Sequence, residues 1–132
     1  MSVYQELHEM TNSKKIGNYG EMVAKNYLIN RGCHIIATNY HSRFGEIDII
    51  ATQKEAISGE KILLFIEVKY RKNEFFSSAS SSITPKKQNR MLLTIESYLQ
   101  AFPIDLPLRI DLITVIGKEP HKIEWLMNIF GY

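Results

Sequence analysis

The sequence predicts an α/β fold, a mixed β-sheet of about five strands flanked by helices. Three observations carry this. Five short segments read as strands bounded by turn residues. Two longer stretches carry apolar residues at helical spacing, in the order helix, three strands, helix, two strands. The connection through the second helix is long enough for a crossover to a parallel neighbour, so the sheet is expected to be mixed.

Each element has its own signal. Residues 1–12 are polar and poorly periodic, and are expected to form a loose leader or a short helix. The first helix is predicted from Ser13 to Arg31. Val23, Ala24, Tyr27 and Leu28 share one face, and Gly32 supplies the stop. A strand follows from His34 to Tyr40. Arg43-Phe44-Gly45 is a turn, and a second strand runs from Glu46 to Thr52. Ser58-Gly59 marks the next turn before a third strand, Lys61 to Tyr70. Its continuous apolar run from Ile62 to Ile66 predicts a central strand buried on both faces. Ser77 to Ser82 are nearly all serine and alanine, the composition of a flexible loop.

Thr84-Pro85 then opens the second helix, with Thr as N-cap and Pro at the first helical position. Leu92, Ile95, Leu99 and Phe102 are its expected buried stripe, and Pro103 and Pro107 bracket its exit. A fourth strand is predicted from Arg109 to Ile116. Gly117 to Pro120 form a turn, and a short last strand spans Lys122 to Met127.

The 132 residues suit one domain with a single core, and no linker or repeat divides them. An apolar content of 45% and a charged content of 23% are those of an ordinary globular protein. The net charge of +2 is small, but its distribution is not even. Between Lys61 and Arg90 the basic residues are Lys61, Lys69, Arg71, Lys72, Lys86, Lys87 and Arg90, against only Glu67 and Glu74. That segment is suited to facing a polyanion. The lone Cys33 excludes an intrachain disulfide and a cysteine-based zinc cluster, and is expected as a buried thiol at a strand start. No apolar run approaches the ~20 residues that span a bilayer, so no membrane role is expected and the cytoplasm is the default.

The candidate site lies in two short acidic motifs, Gly45-Glu46-Ile47-Asp48 and Glu67-Val68-Lys69. Strand side chains alternate, so Glu67 and Lys69 share a face while Val68 points into the core. A hairpin between the second and third strands brings Asp48 beside them. Burying such charges is costly unless they pair or hold an ion. Two carboxylates can hold a hard cation that gathers a phosphate and a water, and the lysine can orient that water or neutralise developing charge. The bland alternative is a structural Glu67–Lys69 ion pair, which leaves Asp48 unexplained.

With Gly17, Gly20-Glu21, Asn39, Gly45-Glu46-Ile47-Asp48, Glu67-Val68-Lys69 with Arg71, Lys87-Gln88 with Arg90, Arg109 with Asp111, and the Trp125 to Phe130 stretch in order, the chain resembles the YraN-like family of small bacterial proteins. That family looks like a branch of the PD-(D/E)XK nuclease superfamily, similar to archaeal Holliday-junction resolvases. The resemblance covers nearly everything from Gly17 to Phe130. It departs from the superfamily's name at Ile47, where the name has Pro, and from the usual Thr or Ser at Tyr70.

The resemblance implies a restriction-endonuclease-like core and a Mg²⁺- or Mn²⁺-dependent endonuclease-like activity on DNA, with branched or repair intermediates as the substrate class. It implies Asp48 and Glu67 as metal ligands, with the Val68 carbonyl and Glu21 completing the set. Lys69 would hold or activate the attacking water. Glu46 is expected outside the inner shell, on a turn amide or an arginine. Lys86, Lys87, Gln88 and Arg90 at the second helix start, with Arg43, Arg71 and Lys72, are expected along the phosphate track. Arg109 and Asp111 share a strand face and are expected as an ion pair supporting the site. His34, His41 and His121 lack metal spacing, and Tyr19, Tyr40 and Phe44 are expected in packing. A homodimer would suit symmetric cutting of two strands. The alternative reading is a non-catalytic nucleic-acid-binding module that keeps the nuclease fold.

Overall fold

A computed structural model describes residues 12–73 and 83–130, with side chains described from Asn18 onward. The leader expected over residues 1–12, apart from Asn12, and the loop expected at Ser77–Ser82 lie outside these residues. The elements are α1 (Asn12–Asn30), β1 (His34–Ser42), β2 (Gly45–Lys54), β3 (Lys61–Arg71), α2 (Pro85–Ala101), β4 (Leu108–Ile116) and β5 (Lys122–Leu126). Each differs from its expected span by only a residue or two at either end.

Helix α1 stops where Gly32 takes a left-handed φ of 84°. There the amide of Cys33 reaches back to the Leu28 carbonyl and that of Gly32 to Ile29, both at 3.0 Å. This closes the last turn without the steric cost of a Cβ. Helix α2 starts as the sequence implies: the Thr84 hydroxyl accepts the Lys87 amide at 3.2 Å, and Pro85 follows in the first turn.

The five strands form one sheet in the order β1-β2-β3-β4-β5. The pairs β1–β2, β2–β3 and β4–β5 are antiparallel, and β3–β4 is parallel, joined through α2. This mixed, helix-flanked sheet is consistent with a restriction-endonuclease-like core. Its two faces carry separate cores. On the α1 face, Ala24 and Leu28 pack on Ile49, Leu64, Ile66, Ile113 and Val115. On the α2 face, Met91, Ile95 and Tyr98 pack on Leu63, Phe65 and Ile110. Strand β3 supplies side chains to both, which is why its apolar run is unbroken.

The buried stripe of α2 is rotated from the expected one. Met91, Thr94, Ile95 and Tyr98 are buried, Leu92 and Leu99 are only partly covered, and Phe102 is 54% exposed. Phe102 caps the helix rather than lying in its last turn, which carries it off the core-facing stripe. Tyr98 fills the core instead, edge-on to Tyr40 and Phe65 at 5.1 and 5.8 Å between ring centres. Thr94 is tolerated there because its hydroxyl donates to the Arg90 carbonyl and meets Ser42 Oγ, both at 2.9 Å. That contact ties the β1–β2 turn onto α2.

Candidate active site

The register of β2 on β3 runs from Lys54↔Lys61 to Ile49↔Ile66 and stops there. Beyond that point the strands part, and β3 continues against β4 alone as far as Arg71. The Val68 amide is taken up by Asp48 Oδ2 at 2.8 Å, a side-chain bond that replaces the lost ladder bond. A residue's N–H and C=O point to the same neighbouring strand, so the Val68 carbonyl faces the same opening. The Val68 side chain packs on the opposite, α1, side.

Asp48 and Glu67 are 7% and 5% exposed. The carboxyl groups of Glu67 and Glu21 both lie close enough to Asp48 to act on its titration. Crowded carboxyl groups favour holding a proton or a cation. Burial, then the charge of Glu67, push the Asp48 carboxyl up to about 8. Burial also raises Glu21, against a hydrogen bond from Asn39 that lowers it. Asn39 holds a left-handed φ of 52° on β1, a conformation asparagine tolerates better than most residues.

Lys69 Nζ lies 3.6 Å from Glu67 Oε1, and Lys87 Nζ is paired with the same oxygen. The two ammonium groups influence one another, and they shift in opposite directions. Lys69 is lowered by burial and then by its contact with Lys87. Burial is the largest influence on Lys87 and acts to lower it, but the bond to Glu67 together with the contributions of Lys69 and the charges of Glu67 and Asp48 outweighs this, and the net shift is upward. Lys69 is thus the ammonium more ready to give up a proton.

A groove of about 340 Å³ opens at this point, lined by Gly45, Glu46, Glu67, Lys86, Lys87 and Arg90, with Thr84 and Met91. The structure therefore gathers Glu21, Asp48, Glu67, Val68 and Lys69, and sets Lys86, Lys87 and Arg90 beside them. Glu46 lies at the rim as expected, but its partner is His41 Nδ1 at 3.4 Å rather than an amide or an arginine. His41 precedes the turn opposite Glu46 in the β1–β2 register, which brings the two side chains together.

Other expected residues stand elsewhere. Arg43 lies over the Phe44 ring at 4.7 Å and lines a separate hollow with Leu93 and Ser97. Gln88 does not line the basic groove, and Lys72 is exposed past the end of β3. Arg71 falls on the face of Glu67 and Lys69 by strand alternation, and its buried Nε has no hydrogen-bond partner among the described residues. Arg109 and Asp111 do form the expected ion pair, with two contacts of 2.9 Å. They lie on the α1 face, opposite Glu67, because Asp111 shares the alternation of Ile113 and Val115. Trp125 Nε1 and the Asn128 amide, each at 2.9 Å, complete the shell of this fully buried carboxylate. The pair thus anchors β5 and its exit rather than supporting the site from alongside.

The donor set suits a hard divalent cation. It is all oxygen, it is anionic, and its carboxyl groups are crowded closely enough to be held protonated or paired with ammonium. Among the described residues no three His, Cys, Asp or Glu side chains form a ready cage. Mg²⁺ rarely uses such cages, since it keeps several waters and takes one or two carboxylates.

These features define an α/β protein with a paired carboxylate–lysine centre at the parting of two strands. Residues 20–115 match the uncharacterised protein family UPF0102, and the chain belongs to that family. It is 41% identical over 121 residues to a UPF0102 protein of Dichelobacter nodosus, covering 89% of this chain and 90% of that one. A Neisseria gonorrhoeae relative is 38% identical over 118 residues, covering 89% and 96%. One from Pseudoalteromonas translucida is 36% identical over 131 residues, covering 98% and 100%. Among the described residues no helix is long and apolar enough to cross a membrane.

Proposed function

We propose that this protein is a metal-dependent endonuclease-like phosphodiesterase acting on DNA, a member of the PD-(D/E)XK nuclease superfamily similar to the archaeal junction resolvases. The observation that carries the reading is the convergence of Asp48, Glu67 and Lys69 where β2 leaves β3, at the mouth of a groove lined by Lys86, Lys87 and Arg90. A structural ion pair between Glu67 and Lys69 would need neither Asp48 nor the carboxyl contacts it makes.

The Asp48 and Glu67 carboxylates, with the Val68 carbonyl, would hold Mg²⁺ or Mn²⁺, and Glu21 would reach it through Asp48 or a water. When bound, the cation supplies charge neutralisation at the scissile phosphate and lowers the pKa of water. Lys69 orients the attacking water, and its downward shift favours accepting a proton. Lys86 and Arg90 hold the phosphates on either side of the cut.

The test incubates the purified protein with labelled single-stranded, duplex, flap and four-way-junction DNA, with Mg²⁺ or Mn²⁺ and with chelator. Cleavage that requires metal and is lost in Lys69→Ala is the expected result, and the preferred substrate gives the class. Salt-sensitive binding without turnover on every substrate would replace this reading with a non-catalytic DNA-binding module. Symmetric junction cutting further predicts a homodimer by sedimentation.

A further inference from the structure

Lys87 stands in a place that phosphate contact alone does not explain. Its backbone is fixed by the Thr84 cap at the start of α2, facing the groove. Its side chain nonetheless reaches back onto β3 and pairs with Glu67 Oε1, the oxygen that Lys69 also approaches. Glu67 is almost wholly buried, whereas the side chain of Lys87 keeps 31% of its exposure. One carboxylate oxygen thus holds two ammonium groups. Such like-charge crowding is unfavourable unless the site around it calls for positive charge.

Glu67 is buried among the carboxyl groups of Asp48 and Glu21, and in the absence of a metal these two ammonium groups are the cations that face it. Lys69 is part of β3, two residues from Glu67 on the same strand face, and stands 3.6 Å from the oxygen that Lys87 pairs with more closely. Lys87 is on another element, is partly exposed, and has Lys86 and Arg90 beside it in an open groove.

We propose that Lys87 is a displaceable stand-in for the divalent cation. Its ammonium neutralises Glu67 in the resting protein and yields that oxygen when a metal ion enters. The released side chain then points into the groove, where it adds a third cation for the phosphate backbone. Metal ion and Lys87 compete for Glu67, and metal binding strengthens the grip on DNA. This inference rests on the metal-site reading above and assigns Lys87 a role in it. Lys87 is a positioning and coupling residue, distinct from Lys69.

The test needs neither DNA nor turnover. Mn²⁺ is titrated into the full chain and free Mn²⁺ is read by electron paramagnetic resonance, for wild type, Lys87→Gln and Lys86→Gln. Thermal unfolding with circular dichroism confirms that each variant is folded. Lys87→Gln is expected to bind Mn²⁺ about tenfold more tightly, the scale of one unit-charge repulsion at contact in a partly exposed site. Lys86→Gln makes the same change of charge one residue away without touching Glu67, and is expected to shift the affinity less than about twofold. Equal affinities for Lys87→Gln and wild type would overturn the competition while leaving the metal site standing. Equal gains from both variants would overturn it too, since they would report general charge. If none of the three proteins binds Mn²⁺, both the inference and the metal-site reading fall.

Discussion

The substitution Asp48→Asn separates the cost of this site from its use. In the metal-free protein the Asp48 carboxyl is raised from an ordinary 3.8 to about 8, first by burial and then by Glu67. Between those values the folded state holds a proton that the unfolded chain has released. A raised acid pKa therefore lowers stability as pH rises, at about 1.4 kcal/mol per pH unit for one proton. Over the whole shift the penalty is roughly 6 kcal/mol at most, since relaxation and water access reduce it. Asparagine removes the titration but keeps an oxygen that can accept the Val68 amide. Asp48→Asn should therefore be more stable than wild type in chelator, by about 2 kcal/mol or more at pH 8, with the gap closing towards pH 5. Urea unfolding at several pH values measures it. Asp48→Ala, which leaves the Val68 amide unpaired, should forfeit about 1–3 kcal/mol of that gain. Parallel pH profiles for wild type and Asp48→Asn would refute the reasoning.

Other outcomes follow from the same geometry. Asp111→Ala should cost about 3 kcal/mol in urea unfolding, because it strands the partly buried Arg109 guanidinium together with Trp125 Nε1 and the Asn128 amide. Gly20→Leu should cost roughly 2–3 kcal/mol and weaken Mn²⁺ binding, since even a Cβ there would meet Tyr70 Cβ at 3.3 Å and α1 would carry Glu21 away from Asp48. Thr84→Ala should lose about 1 kcal/mol of stability, the worth of one N-cap, in thermal unfolding. Neutralising Lys86 or Arg90 should each reduce the slope of log affinity for DNA against log salt by about one, measured by fluorescence anisotropy.

The sequence by itself determined the elements and their order. Gly32, Thr84-Pro85 and Gly117 mark ends through local backbone chemistry, and the apolar run of β3 follows from burial on two faces. It also placed Asp48, Glu67 and Lys69 together, because alternation and a hairpin require only neighbouring strands. The rotation of α2 was decided by tertiary packing. Thr94 reads as polar until Ser42 meets its hydroxyl, and Phe102 reads as core until the helix ends beneath it. The partners of Asp111 come from β5 and beyond, at sequence separations that no local pattern encodes. The pairing of Lys87 with Glu67 was visible only as an oddity, a lysine in a first helical turn where the macrodipole favours acids. Its reason lies 20 residues away in the chain, on a strand that meets the helix only once the sheet has formed.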